Sequence, residues 1–271
     1  MQDPFKSDFV PTQRRVDRMT SPRFAEALAR CDTLILPLGS VEQTGSHCPL
    51  GTDLYVAQAV SALLAEKADC LTTAPIPYGD TFELDFWPGT VHVDPPVLGS
   101  YLEAVARSFL KQGFSNIVFL SCHSLNMKTV DLLCRRLHRE GFGVCAIDWW
   151  KAAGDAAKGE TRSKEPFGHG GEVISSVMKA LTPELVDLAE AGDEDSLPGL
   201  AKVAAHPLGS AFVAYGDFRD YCLTGAWGEV SAAASAENGA RWLSKAVDAL
   251  AALISEWRKS GKPMATPDAR R

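Results

Sequence analysis

The chain has 271 residues, 46% of them apolar and 23% charged, with a net charge of −7 from 27 Lys+Arg against 34 Asp+Glu. That composition excludes disordered and fibrous classes, and the length is enough to bury a sizeable core. Basic residues stand as short pairs, such as Arg14-Arg15 and Arg135-Arg136, so no nucleic-acid partner is expected.

Thr33-Leu34-Ile35-Leu36-Pro37-Leu38 reads as a short buried strand with Pro37 near its end. An apolar stripe of Val56, Ala59, Val60, Leu63 and Leu64 predicts a helix from Asp53 to Lys67. Leu71 to Ile76 reads as a second strand. A helix from Leu98 to Gln112 is stopped by Gly113. Asn116 to Leu120 is apolar without alternation, which predicts a strand covered on both faces. A helix from Met127 to Arg139 is followed by Gly141, and Gly143 to Ile147 reads as a further strand. Helices are predicted from Gly170 to Leu181, ahead of Pro183, and from about Ala234 to Arg258. Strands separated by helices of this length imply right-handed βαβ units, hence an α/β fold with a mainly parallel sheet and helices on both faces. The stretch from Ala189 to Leu223 lacks a long periodic segment and is expected to form an extended loop region. No linker divides the chain, so residues 1–271 are expected to form a single domain with peripheral tails at 1–20 and 259–271.

No apolar run approaches the roughly 20 residues that cross a bilayer. The opening Met1-Gln2-Asp3-Pro4-Phe5-Lys6 lacks a signal-peptide layout. Seven cysteines without a C-x-x-C pair suggest buried thiols rather than disulfides or a zinc knuckle. These features give the expectation of a cytoplasmic protein with no membrane partner.

In parallel sheets, ligands bind beyond the carboxyl ends of the strands. The segment after the first strand carries Glu42, His47 and Asp53. The segment after the third carries Cys122, His123 and Ser124, and the fourth is followed by Asp148-Trp149-Trp150. Carboxylates and imidazoles converging on one sheet edge suit Zn, Mn or Fe. Taken singly, Asp53 also reads as a helix cap. Phe167-Gly168-His169-Gly170-Gly171-Glu172 opens a helix, and its His and Glu read either as acid–base groups or as a glycine-rich turn with a favourable helix-end charge. The loop with Asp80, Glu83 and Asp85 reads as a solvated face or as a preference for a cationic substrate. Cys48 and Cys122 flank these segments, either as packing residues or as a thiolate ligand. No Walker A loop, G-x-G-x-x-G after a strand or G-x-S-x-G elbow is present.

The run from Leu36 to Asp53 (Leu-Pro-Leu-Gly-Ser-Val-Glu-Gln-Thr-Gly-Ser-His-Cys-Pro-Leu-Gly-Thr-Asp) resembles the first motif of the creatininase, or creatinine amidohydrolase, family. Trp87-Pro88-Gly89-Thr90, Ser121 to Asn126, His169-Gly170-Gly171-Glu172 and Thr182 to Asp187 are similar to further family motifs. So are Thr224 to Glu229 and Ala236 to Gly239, which makes the resemblance nearly chain-long. It implies a three-layer α/β/α domain, a homo-oligomer such as a hexamer, and metal-dependent hydrolysis of a C–N bond in a small amide, cyclic amide or formamide.

Position by position, Glu42, Asp53 and His123 match metal ligands, with Asp53 the bridging one, and His169 matches a histidine that assists the chemistry. Glu172 is the candidate to take the water proton, Trp150 or Trp149 to stack on the substrate, and His47 or Glu172 to supply an extra ligand. Three family positions depart: a ligand histidine is Thr44, a ligand glutamate is Leu125, and a further acid is Ile174. They predict a degenerate second metal position and one ion per chain rather than two. The rival expectation keeps the fold without hydrolysis, as a binding or scaffold subunit or a metal-assisted enzyme of another class.

Overall fold

A computed structural model describes residues 14–163, 166–192, 224–226 and 233–260. In chain order these form α1 (Ser21–Leu28), β1 (Thr33–Leu38), α2 (Thr52–Lys67), β2 (Leu71–Thr72), α3 (Pro95–Gln112), β3 (Asn116–Ser121), α4 (Asn126–Arg139), β4 (Gly143–Asp148), α5 (Trp149–Ala157), α6 (Glu172–Leu181) and α7 (Ala236–Lys259). The four strands make one parallel sheet in the order β2-β1-β3-β4. β1 and β3 hold the centre and are buried along their whole length, as continuous apolar strands require.

Side chains alternate across the sheet and feed two cores. Leu34, Leu36, Ile117 and Phe119 pack with α1, α3 and α4 on one face. Ile35, Val118 and Leu120 pack with α2, α5, α6 and α7 on the other. The result is the three-layer α/β/α arrangement expected from the sequence. Among the described residues, no helix is long and apolar enough to cross a membrane.

Five local expectations are corrected. β2 stops at Thr72 because Pro75 and Pro77 follow and cannot donate to a ladder. Residues 149–157 are a helix, not a loop; the Asp148 side chain accepts a hydrogen bond from the Lys151 amide and caps it. α1 has no counterpart among the predicted elements, and α6 begins at Glu172 rather than Gly170. In the expected tail 1–20, Arg15 is buried and bridges Thr72 at the sheet edge. Residues 193–223 of the expected loop region 189–223, the motif residues 227–229, and residues 1–13 and 261–271 of the expected tails lie outside the described residues.

Pro37 is tolerated inside β1 because its carbonyl faces the β2 side, where it accepts from the Ile76 amide past the end of β2. Gly239 lets α7 press on α6: a Cβ there would stand 1.9 Å from the Ser176 carbonyl oxygen. Gly239→Ala is therefore expected to cost about 1–3 kcal/mol by overpacking. Urea denaturation read by circular dichroism checks this, and an unchanged midpoint contradicts it.

Candidate metal centre

The site grows out of the carboxyl ends of β1 and β3. Beyond β1, a Cβ on Gly39 would stand 2.9 Å from the Leu54 Cα, so only glycine lets the strand end meet the start of α2 this closely. That contact sets Ser40 beside Asp53, and the Ser40 hydroxyl donates to Asp53 Oδ2 at 2.9 Å. Glu42 is fixed by its own amide, which donates to the Leu50 carbonyl at 2.9 Å. His123 follows β3 directly, and its amide donates to the Ser121 hydroxyl.

Glu42, Asp53 and His123 converge, with one ligand atom from each lying within 4.8 Å of the others. All three are buried, at 3%, 4% and 6% exposure. His123 Nε2 lies 2.6 Å from the Asp80 backbone carbonyl, which only accepts, so Nε2 carries a proton. Nδ1 then faces Asp53 Oδ2 at 3.1 Å and Glu42 Oε1 at 3.2 Å. A lone pair aimed at two carboxylates is repulsive, so a proton or a metal ion must stand between them. Burial disfavours the charged ring, but Glu42 and Asp53 outweigh it and raise the His123 pKa well above the usual imidazole value.

The donor set fits a divalent ion. One imidazole nitrogen and two carboxylates suit Zn or Mn. Glu42 Oε2 is buried without a hydrogen-bond partner, leaving a carboxylate oxygen for a cation. A carbonyl that fixes the far nitrogen of a ligating imidazole is a recurrent metal-site feature. Asp53 sits in the first turn of α2, but its oxygens point to Ser40 and Trp150 rather than to helix amides, so it is not simply a cap.

A cavity of about 210 Å³ opens onto the three residues. Its wall also includes His169, Trp150, Glu83, Phe167, Ser124 and Leu84. Thr44, Leu125 and Ile174 line it too, so the three departing positions share one cavity with the cluster. His169 Nε2 donates to the Gln43 carbonyl at 2.8 Å. Trp150 lines the cavity as expected, and its indole N–H also donates to Asp53 Oδ1 at 2.9 Å.

The remaining candidates lie elsewhere. Trp149 is fully buried in the core beside α6 and α7 and does not line the cavity, whereas its neighbour Trp150 does. Glu172 is fully buried outside the cavity wall, and its carboxylate accepts from the Arg162 and Ser163 amides. That carboxylate ties the 162–163 segment to the start of α6, so it is not placed to take a water proton or to bind the ion. His47 Nε2 hydrogen-bonds Ser175 Oγ at 2.7 Å and Gly170 O at 3.1 Å, which holds its ring at α6 rather than in the cluster. Burial pushes the Cys48 thiol up to about 12 and the Cys122 thiol well above its ordinary value, so both are packing thiols.

Sequence reasoning missed Ser40, the Asp80 carbonyl and the Trp150 N–H as the groups that hold Asp53 and His123. Ser40 stands in the quoted motif and was within reach; the Asp80 contact comes from 43 residues away and left no local signal.

The family model for creatininase, described as creatinine amidohydrolase, matches residues 17–254. The 3-dehydro-scyllo-inosose hydrolase of Thermotoga maritima is 30% identical over 184 residues, covering 65% of this chain and 58% of that protein. The match thus spans less than two thirds of that relative's length. The creatinine amidohydrolase of Pseudomonas putida is 29% identical over 262 residues, covering 89% of this chain and 96% of that one. A solved structure of manganese creatininase is 26% identical with a TM-score of 0.75, covering 90% of this chain and 98% of that one.

Trp150→Phe keeps the ring and removes the donor to Asp53. It is expected to weaken metal binding about 10–100-fold, the usual effect of losing a group that orients a ligand. Competition with a chromogenic chelator reads this; unchanged affinity contradicts it.

Proposed function

The chain belongs to the creatininase family, and on that premise we propose that it is a metal-dependent hydrolase of a C–N bond in a small amide, cyclic amide or formamide, with one divalent ion per chain. The observation that carries the reading is His123 Nδ1 facing two buried carboxylates, one with an oxygen that has no hydrogen-bond partner, an arrangement that a divalent ion satisfies. Zn, Mn and Fe all suit this donor set. The relatives named above are a hydrolase of 3-dehydro-scyllo-inosose and an amidohydrolase of creatinine, both acting on small molecules.

A divalent ion supplies a water of lowered pKa, near about 7, and polarises a carbonyl oxygen. Glu42, Asp53 and His123 would hold it, with the Ser40 hydroxyl and the Trp150 N–H fixing Asp53 and the Asp80 carbonyl fixing the His123 ring. Leu84, Leu125 and Ile174 give the cavity apolar wall, which sheds water and strengthens electrostatics inside it. His169 on the same wall orients the substrate, and Trp150 offers a flat face to it. Thr44, Leu125 and Ile174 supply no strong ligand for a second ion. A cytoplasmic setting fits the six described cysteines, all of them free thiols.

Metal-loaded protein is expected to hydrolyse members of a panel of small amides, cyclic amides and formamides. Glu42→Ala is expected to reduce turnover to background while far-UV circular dichroism stays unchanged. Turnover that survives this substitution, or a loaded wild type inert across the panel, contradicts the reading and favours a binding or scaffold role.

A further inference from the structure

Glu172 is tied to backbone amides, and His169, also on the wall, has its Nε2 proton held by the Gln43 carbonyl and serves to orient the substrate, so a carboxylate on the cavity wall is the group suited to accept a proton from the attacking water. Asp148 accepts from the Ser124 hydroxyl at 2.9 Å and caps α5. Asp80 does not line this cavity; its side chain lies 3.6 Å from His92 Nδ1. Glu83 differs from both. It lines the same cavity as Glu42, Asp53 and His123, and among the described residues no hydrogen bond or ion pair engages it.

Glu83 is also held in register with the cluster. It sits in the single turn Phe82–Leu84, two residues beyond Thr81. The Thr81 amide donates to His92 Nδ1 at 3.2 Å, and the Asp80 amide donates to Asn126 Oδ1 at 2.9 Å. The Asp80 carbonyl takes the His123 Nε2 proton. On the far side, the buried Leu84 packs against Phe86 and Trp87. The segment that carries Glu83 is therefore bonded directly to the imidazole of the cluster, so Glu83 and the ligands keep a fixed relation.

We infer that Glu83 is a catalytic residue, the proton acceptor for the attacking water and the donor to the leaving nitrogen. This rests on the hydrolase reading above. Glu83 takes one proton from water as the new C–O bond forms and the carbonyl π pair moves onto oxygen. When the carbonyl reforms, the C–N bond breaks with its electron pair on nitrogen, and Glu83 returns the proton there. The second water proton stays on the carboxylic acid product and passes to solvent. Glu83 and Leu125 line the same cavity, so the carboxylate stands on a different segment from the one that carries Leu125.

The test uses the Zn-loaded protein as wild type, Glu83→Gln and a control, Asp85→Asn, whose exposed carboxylate does not line the cavity. The first readout is hydrolysis. Glu83→Gln is expected to lower kcat about 10²–10⁴-fold, the usual span for a general base, with KM and metal content kept. The second readout is independent of turnover. Acetohydroxamic acid is titrated calorimetrically in two buffers of different ionisation enthalpy, which counts protons released on binding. Wild type and Asp85→Asn are expected to release almost none, since Glu83 keeps the hydroxamate proton, whereas Glu83→Gln is expected to release about one, having no base to hold it. If wild type hydrolyses nothing but the proton count depends on Glu83, the hydrolase reading fails and the acceptor role stands. An equal proton count in wild type and Glu83→Gln overturns the inference, whatever the turnover.

Discussion

Two buried carboxylates share a cavity wall only when a proton or a cation offsets their mutual repulsion. Oxygens of Glu42 and Asp53 lie within 4.8 Å of each other and of the His123 ring. At that separation two unit charges repel by about 3.5 kcal/mol at an effective dielectric of about 20. The fold accepts this repulsion at the edge where strands β1 and β3 end, and it supplies His123 as the third corner. The ring's Nε2 proton is committed to the Asp80 carbonyl, so its Nδ1 side can meet the carboxylates only as imidazolium or as a ligand. Metal binding replaces one cation by another, and the buried site is ready for either.

The surroundings follow from that requirement. Ser40 and Trp150 each donate to a different oxygen of Asp53, which fixes the carboxylate plane. The close approach of Gly39 to α2 makes the first of these contacts possible. The same cavity is lined by the apolar Leu84, Leu125 and Ile174.

Much of the fold was legible because its signal is local. The apolar runs of β1 and β3 and the stripe of α2 follow from residues a few positions apart, and the elements appear within a residue or two of their expected bounds. α5 was missed because two tryptophans and a run of small residues after a strand look like a loop; its cap, Asp148, was the available sign. The cluster itself was legible through strand ends and motif spacing. What was not legible depends on contacts across the fold. Glu172 carries a motif position, yet the amides of residues 162 and 163 claim its carboxylate. Trp149 and Trp150 are adjacent and alike in sequence, and only the pitch of α5 sends one into the core and the other to the cavity.

The central claim is a single ion held by Glu42, Asp53 and His123. Elemental analysis of the purified, metal-supplied protein beside Asp53→Ala measures it most directly. The account predicts about one Zn, Mn or Fe per chain, the count of one three-ligand centre, with that ion absent in the variant. About two ions per chain, or an ion retained in Asp53→Ala, would contradict it.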